Sequence, residues 1–222
     1  MLLELATFHP DSIPAAIHCG VERLELCEDY SCGGLTPSIS YFETARDLFP
    51  GKIFVMIRPR TGGYIFSEDE LGKMIATVKE FVSRGADGFV CGFFKSEQEI
   101  HVTQLRKFID ACDGRPVTFH RSFDAIINWQ QGLDMLIQSG VSRLLTSGDG
   151  KGAYEGRYRL AEMIKQAGTA LTILPGGGIR SSNVQELISA CHPTELHTAA
   201  LKTDGSELAD EAELAEILRR IG

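Results

Sequence analysis

Val117-Thr118-Phe119-His120-Arg121-Ser122-Phe123-Asp124 is an apolar, β-favouring run that delivers a His, an Arg and an Asp within five residues. Side chains alternate across a strand, so if Val117 and Phe119 pack against an apolar layer, Thr118 and His120 face whatever the sheet encloses. Polar groups turned inward need partners, because an unpaired buried one costs on the order of several kcal/mol.

Outward from this stretch the chain repeats one pattern: a short β-rich run, a polar loop, then a segment with helical periodicity. Strands are expected at 2–7, 23–27, 53–58, 88–93, 117–122, 143–147, 171–174 and 195–199. Helices are expected near 11–19, 38–49, 67–84, 102–112, 129–139, 155–167, 181–191 and 207–221. Ser67 before Glu68-Asp69-Glu70, and Ser181-Ser182-Asn183 before an apolar-periodic run, are helix starts. Gly20, Gly85, Gly140 and Gly168 follow helical runs and precede strands, as left-handed helix stops do. Alternation without a compositional break predicts one α/β domain over residues 1–222, and eight units predict a closed (β/α)8 TIM barrel. An open dinucleotide-binding sheet would need GxGxxG after the first strand, where the sequence reads Phe8-His9-Pro10-Asp11-Ser12.

The composition restricts the partners. With 30 acidic against 22 basic residues the formal charge is −8, and no Lys/Arg run is long enough to track a phosphate backbone, so nucleic acid is not expected. Met1-Leu2-Leu3-Glu4 has no basic signal-peptide start, and no apolar run approaches membrane-spanning length; no membrane partner and a cytoplasmic location are expected. Six cysteines are scattered without a CxxC pair, which reads as free thiols in a reducing compartment. Barrels often pair, so a homodimer is an expectation, although no segment marks an interface.

Barrel active sites gather at the C-terminal ends of the strands. With Leu3/Leu5, Leu24/Leu26, Ile53/Val55/Ile57, Phe119 and Leu196 outward, parity aims Glu4, Glu25, Arg58, His120 and His197 at one region, as candidate catalytic groups. Around them, Arg60, Arg121 and Asp124, Thr146 and Ser147, and the glycine run Gly176-Gly177-Gly178 ahead of a helix are candidate substrate-binding positions. Glycines that expose backbone N–H groups at a helix start suit an anion. The competing reading is an internal salt-bridge network that merely closes the barrel, and three glycines that merely make a tight turn.

Several of these segments together resemble one family. Glu25-Leu26-Cys27, Gly33-Gly34-Leu35-Thr36-Pro37-Ser38, Ile57-Arg58-Pro59-Arg60, Phe119 to Asp124, Leu145-Thr146-Ser147-Gly148 and Glu195-Leu196-His197 are similar, in order and spacing, to the CutC family, over about residues 2–200. The resemblance implies a (β/α)8 barrel and a role in cytoplasmic copper homeostasis; an enzymatic activity is also suggested for the family. The chain ends soon after a short eighth helix, where many relatives carry a longer tail. Copper as cargo would need soft donors, and Cys27 and Cys32 are the candidate metal ligands, on strand 2 and its loop. The alternative is an enzyme acting on a small anionic carboxylate or phosphate substrate. There the arginines would hold the anion, His120 or His197 would act as base, and Glu4 or Glu25 would act as acid or orient an imidazole. The same Glu/His set could instead hold a divalent metal such as Zn²⁺ or Mn²⁺.

Overall fold

The computed structural model describes residues 1–222. Eight parallel strands form one sheet: β1 Leu2–Thr7, β2 Arg23–Leu26, β3 Lys52–Met56, β4 Gly88–Cys91, β5 Val117–Phe119, β6 Arg143–Thr146, β7 Thr172–Pro175 and β8 Glu195–Thr198. Each pairs with its sequence neighbour from β1 through β7, and β8 pairs with β1. A parallel bridge between Gly176 and His197 brings β7 onto β8 and closes the ring. Outside it lie α1 Ile13–Cys19, α2 Ile39–Leu48, α3 Glu68–Ser83, α4 Val102–Ala111, α5 Trp129–Ser139, α6 Arg157–Ala167, α7 Val184–Cys191 and α8 Glu211–Ile221. The result is a (β/α)8 TIM barrel.

Local chemistry sets the boundaries. Ser67 makes a capping box with Glu70 at the start of α3. Gly20 and Gly140 end α1 and α5 in the left-handed region, and Gly85, at φ 89°, follows α3. Gly168 stops α6 differently, with φ 53° and ψ −123°. Several boundaries depart from the sequence reading. β4 stops at Cys91, and a two-stranded hairpin follows, Phe94–Ser96 against Glu99–Ile100. β5 stops at Phe119, because the backbone N–H of Ser122 donates to His120 Nδ1 and residues Arg121–Ala125 coil into a 3-10 turn. α7 starts at Val184, since Asn183 Oδ1 is occupied by the Arg180 N–H. α8 starts only at Glu211, after an antiparallel bridge between Leu201 and Ala209 and a side-chain cap from Asp210.

The main core lies between sheet and helices, where Leu3, Leu5, Leu24, Leu26, Val55, Phe119 and Leu196 face outward. Inside the barrel a smaller apolar group, Cys27, Phe54, Met56 and Val90, shares space with charges. The first inward residues of β2, β6 and β8 are Arg23, Arg143 and Glu195. Arg23 is fully buried and bonds through Nε to Glu4 and through Nη2 to Glu195, while Arg143 Nε reaches Glu195 at 3.1 Å. Both guanidinium groups lie over the Phe54 ring, 5.1 and 4.8 Å from its centroid.

Candidate functional site

One layer above, towards the C-terminal ends of the strands, β1, β2 and β8 bring Glu4, Glu25 and His197 together. Register accounts for this: Glu4 pairs with His197 on one side and Arg23 on the other, and Glu25 sits two residues beyond Arg23. His197 Nδ1 lies 2.8 Å from Glu4 Oε1, and its Nε2 lies 3.4 Å from Glu25 Oε2. Burial alone would raise the Glu4 carboxyl, but the hydrogen bond from His197 and the charge of Arg23 bring it down to about 2. With Glu4 ionised, His197 Nδ1 is the donor. Burial opposes charge on His197, yet Glu25 and Glu4 together raise its pKa. Glu25 shares the His197 cation with Glu4: burial pushes its carboxyl up to about 7 against the pull of that charge, and its Oε1 is buried without a hydrogen-bond partner.

His120 leaves β5, three strands round the ring from β2 and equally far from β8, so it stands across the barrel from Glu25 and His197. Its Nδ1 accepts from the Ser122 N–H, which places the ring proton on Nε2, and Nε2 has no partner in the protein. Burial, then the nearby Arg58 charge, lower its pKa to about 3, so the ring is neutral. Tyr64 stacks on it at 4.7 Å between centroids. Gly92 gives the ring its room: a Cβ there would collide with His120 Cε1. This tautomer corrects the expectation of His120 as base. Its basic nitrogen is already engaged, and what it offers is an N–H.

Between these groups lies a cavity of about 320 Å³, open at the C-terminal face and lined by Glu25, Cys27, Tyr64, His120, Arg121 and His197, with Gly177 and Gly178 at its edge. Arg121 is fixed by its Nε, which donates to Asp124 Oδ2 at 3.1 Å. Asp124 in turn accepts from the Thr146 hydroxyl (2.5 Å) and from the hydroxyl (2.7 Å) and N–H (3.1 Å) of Ser147. The guanidinium lies flat on Gly177, where a Cβ would meet its Cζ at 2.7 Å.

The structure divides the residues singled out from sequence. Glu25, His120, His197, Arg121, Gly177, Gly178 and Cys27 line the cavity, and Glu4 stands behind His197. Asp124, Thr146 and Ser147 form the clamp behind Arg121, and Gly176 packs against His197 and Leu145. Arg58 does not join the ring of acid–base groups. The strand has ended at Met56, and its guanidinium donates to the carbonyls of Cys32, Gly34 and Gly62, tying the β2 and β3 loops together beneath Tyr64. Arg60 pairs with Glu70 and binds loop carbonyls at the rim. Cys32, on a 3-10 turn, donates its thiol to the Asp29 carbonyl and is absent from the cavity wall. Sequence reasoning missed Arg23, Arg143, Glu195 and Tyr64; the first three follow from the same i, i+2 parity extended one step back along β2, β6 and β8.

One group of three side chains, Glu4, Glu25 and His197, has ligand atoms close enough to share a metal ion, all within 4.8 Å, and it contains no Cys. Both Glu4 oxygens are already engaged, by Arg23 and by His197. Burial pushes the Cys27 thiol well above its ordinary range, and burial, followed by its bond to Asp29, also raises Cys32.

A family model described as the CutC family matches residues 1–202. A Histophilus somni (strain 2336) protein named as a family protein CutC is 36% identical over 200 residues, covering 90% of this chain and 82% of that protein. The Homo sapiens copper homeostasis protein cutC homolog is 35% identical over 199 residues, covering 88% of this chain and 73% of that one. A crystal structure of a CutC from Streptococcus agalactiae superposes with a TM-score of 0.85 at 25% identity, covering 90% of this chain and 98% of that chain.

Proposed function

The chain belongs to the CutC family, and from that premise we propose that it shares the association with copper homeostasis stated in its human relative's name while its own chemistry is acid–base work on a small anionic ligand. The observation that carries this reading is the chain of contacts Arg23, Glu4, His197, Glu25, which ends on a cavity-lining carboxylate with one oxygen, Oε1, buried without a partner. In it Glu4 is a positioning residue that fixes the His197 tautomer, and Glu25 with His197 is the proton-handling pair. Arg121 supplies the cation at the mouth, and His120 supplies a neutral N–H from the opposite wall. No helix is long and apolar enough to cross a membrane, and all six cysteines are free thiols, which supports a cytoplasmic setting.

Thermal shifts with a panel of carboxylate and phosphate anions test this reading. A ligand at 100 times its Kd stabilises the folded state by about 2.7 kcal/mol. The expected result is a shift with at least one anion class, diminished in Arg121→Gln; no shift with any anion sinks the reading.

A second reading is direct copper binding at Cys27 with Cys32. It is favoured by one observation: the Cys27 sulfur and the Met56 thioether methyl meet at Gly34, 3.2 and 3.7 Å from a Cβ placed there, so two soft donors line the same cavity. Anaerobic Cu(I) titration against a competing chelator separates the readings. Tight stoichiometric binding lost in Cys27→Ser/Cys32→Ser establishes the thiol site, and weak binding unchanged by the double substitution removes it.

A further inference from the structure

The cavity has two chemically distinct ends. At the mouth, Arg121 uses only Nε within the protein, so Nη1 and Nη2 keep all their donors. The Gly177 carbonyl accepts at 2.9 Å from the N–H of Ala153, a residue that does not line the cavity. A trans peptide sets its N–H opposite its C=O, so the Gly178 N–H turns toward the cavity that both glycines line. The Gly178 carbonyl is likewise taken, by Asn183 Nδ2 at 2.8 Å, and neither the Gly178 nor the Ile179 N–H has an acceptor in the chain. A guanidinium fork beside successive free amides suits a tetrahedral dianion with three terminal oxygens better than a planar carboxylate. At the deep end, two nine-tenths buried side chains line the cavity and each keeps a polar atom without a partner: Glu25 its enclosed oxygen Oε1, and His120 its donor Nε2–H. A free carboxylate on one wall and a neutral imidazole N–H on the other match a carbonyl carbon whose neighbouring C–H is acidic.

Resting on the acid–base reading above, we propose that the cavity binds the phosphate monoester of a small hydroxycarbonyl compound and shifts a proton from the hydroxyl-bearing carbon to the carbonyl carbon beside it. Arg121 and the Gly178 amide hold the phosphate. The C–H bond next to the carbonyl breaks and its proton passes to a Glu25 oxygen. The bonding pair becomes the new C=C bond as the C=O π pair moves onto oxygen, where the His120 Nε2–H stabilises it. Return of the proton from Glu25 to the former carbonyl carbon, while the neighbouring hydroxyl passes its proton through His120 to the first oxygen and itself becomes the new C=O, completes an isomerisation that consumes no co-reactant. About 320 Å³ accommodates a molecule of this size. His197 positions Glu25 and, through Glu4, is itself positioned.

The test is hydrogen exchange. The intact chain is incubated in D2O with dihydroxyacetone phosphate, glycolaldehyde phosphate and larger hydroxycarbonyl phosphates, each beside its unphosphorylated parent, and deuterium at carbon is read by NMR. Inorganic phosphate binding is measured in parallel by calorimetry. Exchange with at least one phosphorylated compound and not with its parent is expected. Glu25→Gln should reduce it by on the order of 10²–10⁴-fold while leaving inorganic phosphate binding intact. Arg121→Gln, at a partly exposed mouth position that burdens folding little, should weaken phosphate binding by on the order of tenfold or more. Phosphate binding without exchange on any compound overturns the proton shift and leaves the anion site standing. Exchange equal for phosphorylated and parent compounds overturns the phosphate assignment and leaves the acid–base pair standing. Absence of both phosphate binding and exchange, with carboxylates producing the thermal shift instead, overturns this inference alone; no anion binding of any class overturns the acid–base reading with it.

Discussion

Two layers inside the same barrel hold the same kinds of side chain and leave them in opposite conditions. In the lower layer Arg23 bridges Glu4 and Glu195, Arg143 joins Glu195, and Phe54 supplies an aromatic face to both guanidinium groups. Two buried donors go unbonded there, Arg143 Nη1, on the guanidinium over that ring, and the hydroxyl of Thr118, which pairs with Arg143 across β5 and β6. In the upper layer Glu25 Oε1, His120 Nε2 and the Arg121 Nη atoms have no partner in the protein. Charge within a barrel is therefore no sign of function by itself. Saturated charge closes the structure, and charge left short of partners marks the place where a ligand completes it.

The largest effect should come from breaking the saturated layer. Arg23→Met leaves Glu4 with His197 alone and Glu195 with Arg143 alone, and removing one partner of a buried ion pair costs about 3–5 kcal/mol. Urea unfolding should show that loss, with the midpoint displaced and the slope little changed. If Arg23→Met were as stable as the parent, the lower layer would not be the structural plug described.

The unsaturated layer should answer with the opposite sign. Glu25, raised from 4.5 to about 7, keeps its proton in the folded protein after the unfolded chain has released it. Its contribution to stability is therefore fully present below pH 4.5 and is lost as pH rises through 7. Glu4, lowered to about 2, behaves conversely: its contribution is present above pH 4.5 and is lost as pH falls through 2. Glu25→Gln should consequently gain on the parent between pH 4.5 and 8 by about 3 kcal/mol, since one pKa unit corresponds to about 1.4 kcal/mol. Parallel stability curves for the two proteins over that range would mean that burial does not hold the Glu25 carboxyl above its ordinary range.

Much of this contrast was legible before the structure. The β/α alternation gave eight strands and eight helices in their observed order, because the apolar periods switch cleanly between two and 3.6 and Gly20 and Gly140 end their helices as left-handed stops. Parity at β1, β2 and β8 turned Glu4, Glu25 and His197 inward. Parity says which way a side chain leaves the strand but not where a long one ends, so Arg58, beyond the end of β3 and before Pro59, reaches loop carbonyls instead of the ring. The rest of the lower layer lies one step back along β2, β6 and β8, at Arg23, Arg143 and Glu195, where no motif beside the C-terminal strand ends points to it. The state of His120 was not legible, because a backbone N–H two residues on, and not any residue type, decides which ring nitrogen carries the proton.

A smaller effect is expected where backbone yields to a side chain. Gly92 sits so close to His120 Cε1 and Ser122 Oγ that a methyl group added to its Cα would overlap the first and stand 2.7 Å from the second. Gly92→Ala should cost about 1–3 kcal/mol by overpacking and should turn the His120 ring away from Tyr64. Proton NMR of the His120 ring reads the second part directly, since its resonances shift when the aromatic neighbour is lost. An unmoved ring would show that Gly92 is not what makes room for it.

The smallest effect tests the edge of the comparison. Arg60 is close in sequence to Arg58 and carries the same charge as Arg121, yet its guanidinium serves Glu70 and the carbonyls of Gly63 and Ile65 at the partly exposed rim. Exposed ion pairs contribute little, and the Ser67–Glu70 capping box does not depend on Arg60. Arg60→Ala should therefore lower Tm by less than about 4 °C and leave inorganic phosphate affinity at the parent value. The informative comparison is with Arg121→Gln, which removes a similar charge from a similar height on the barrel. If only the Arg121 substitution weakens anion binding, the donors left without partners are what select the ligand. If both weaken it equally, the general positive field of the mouth is enough, and the division between saturated and unsaturated charge loses its meaning there.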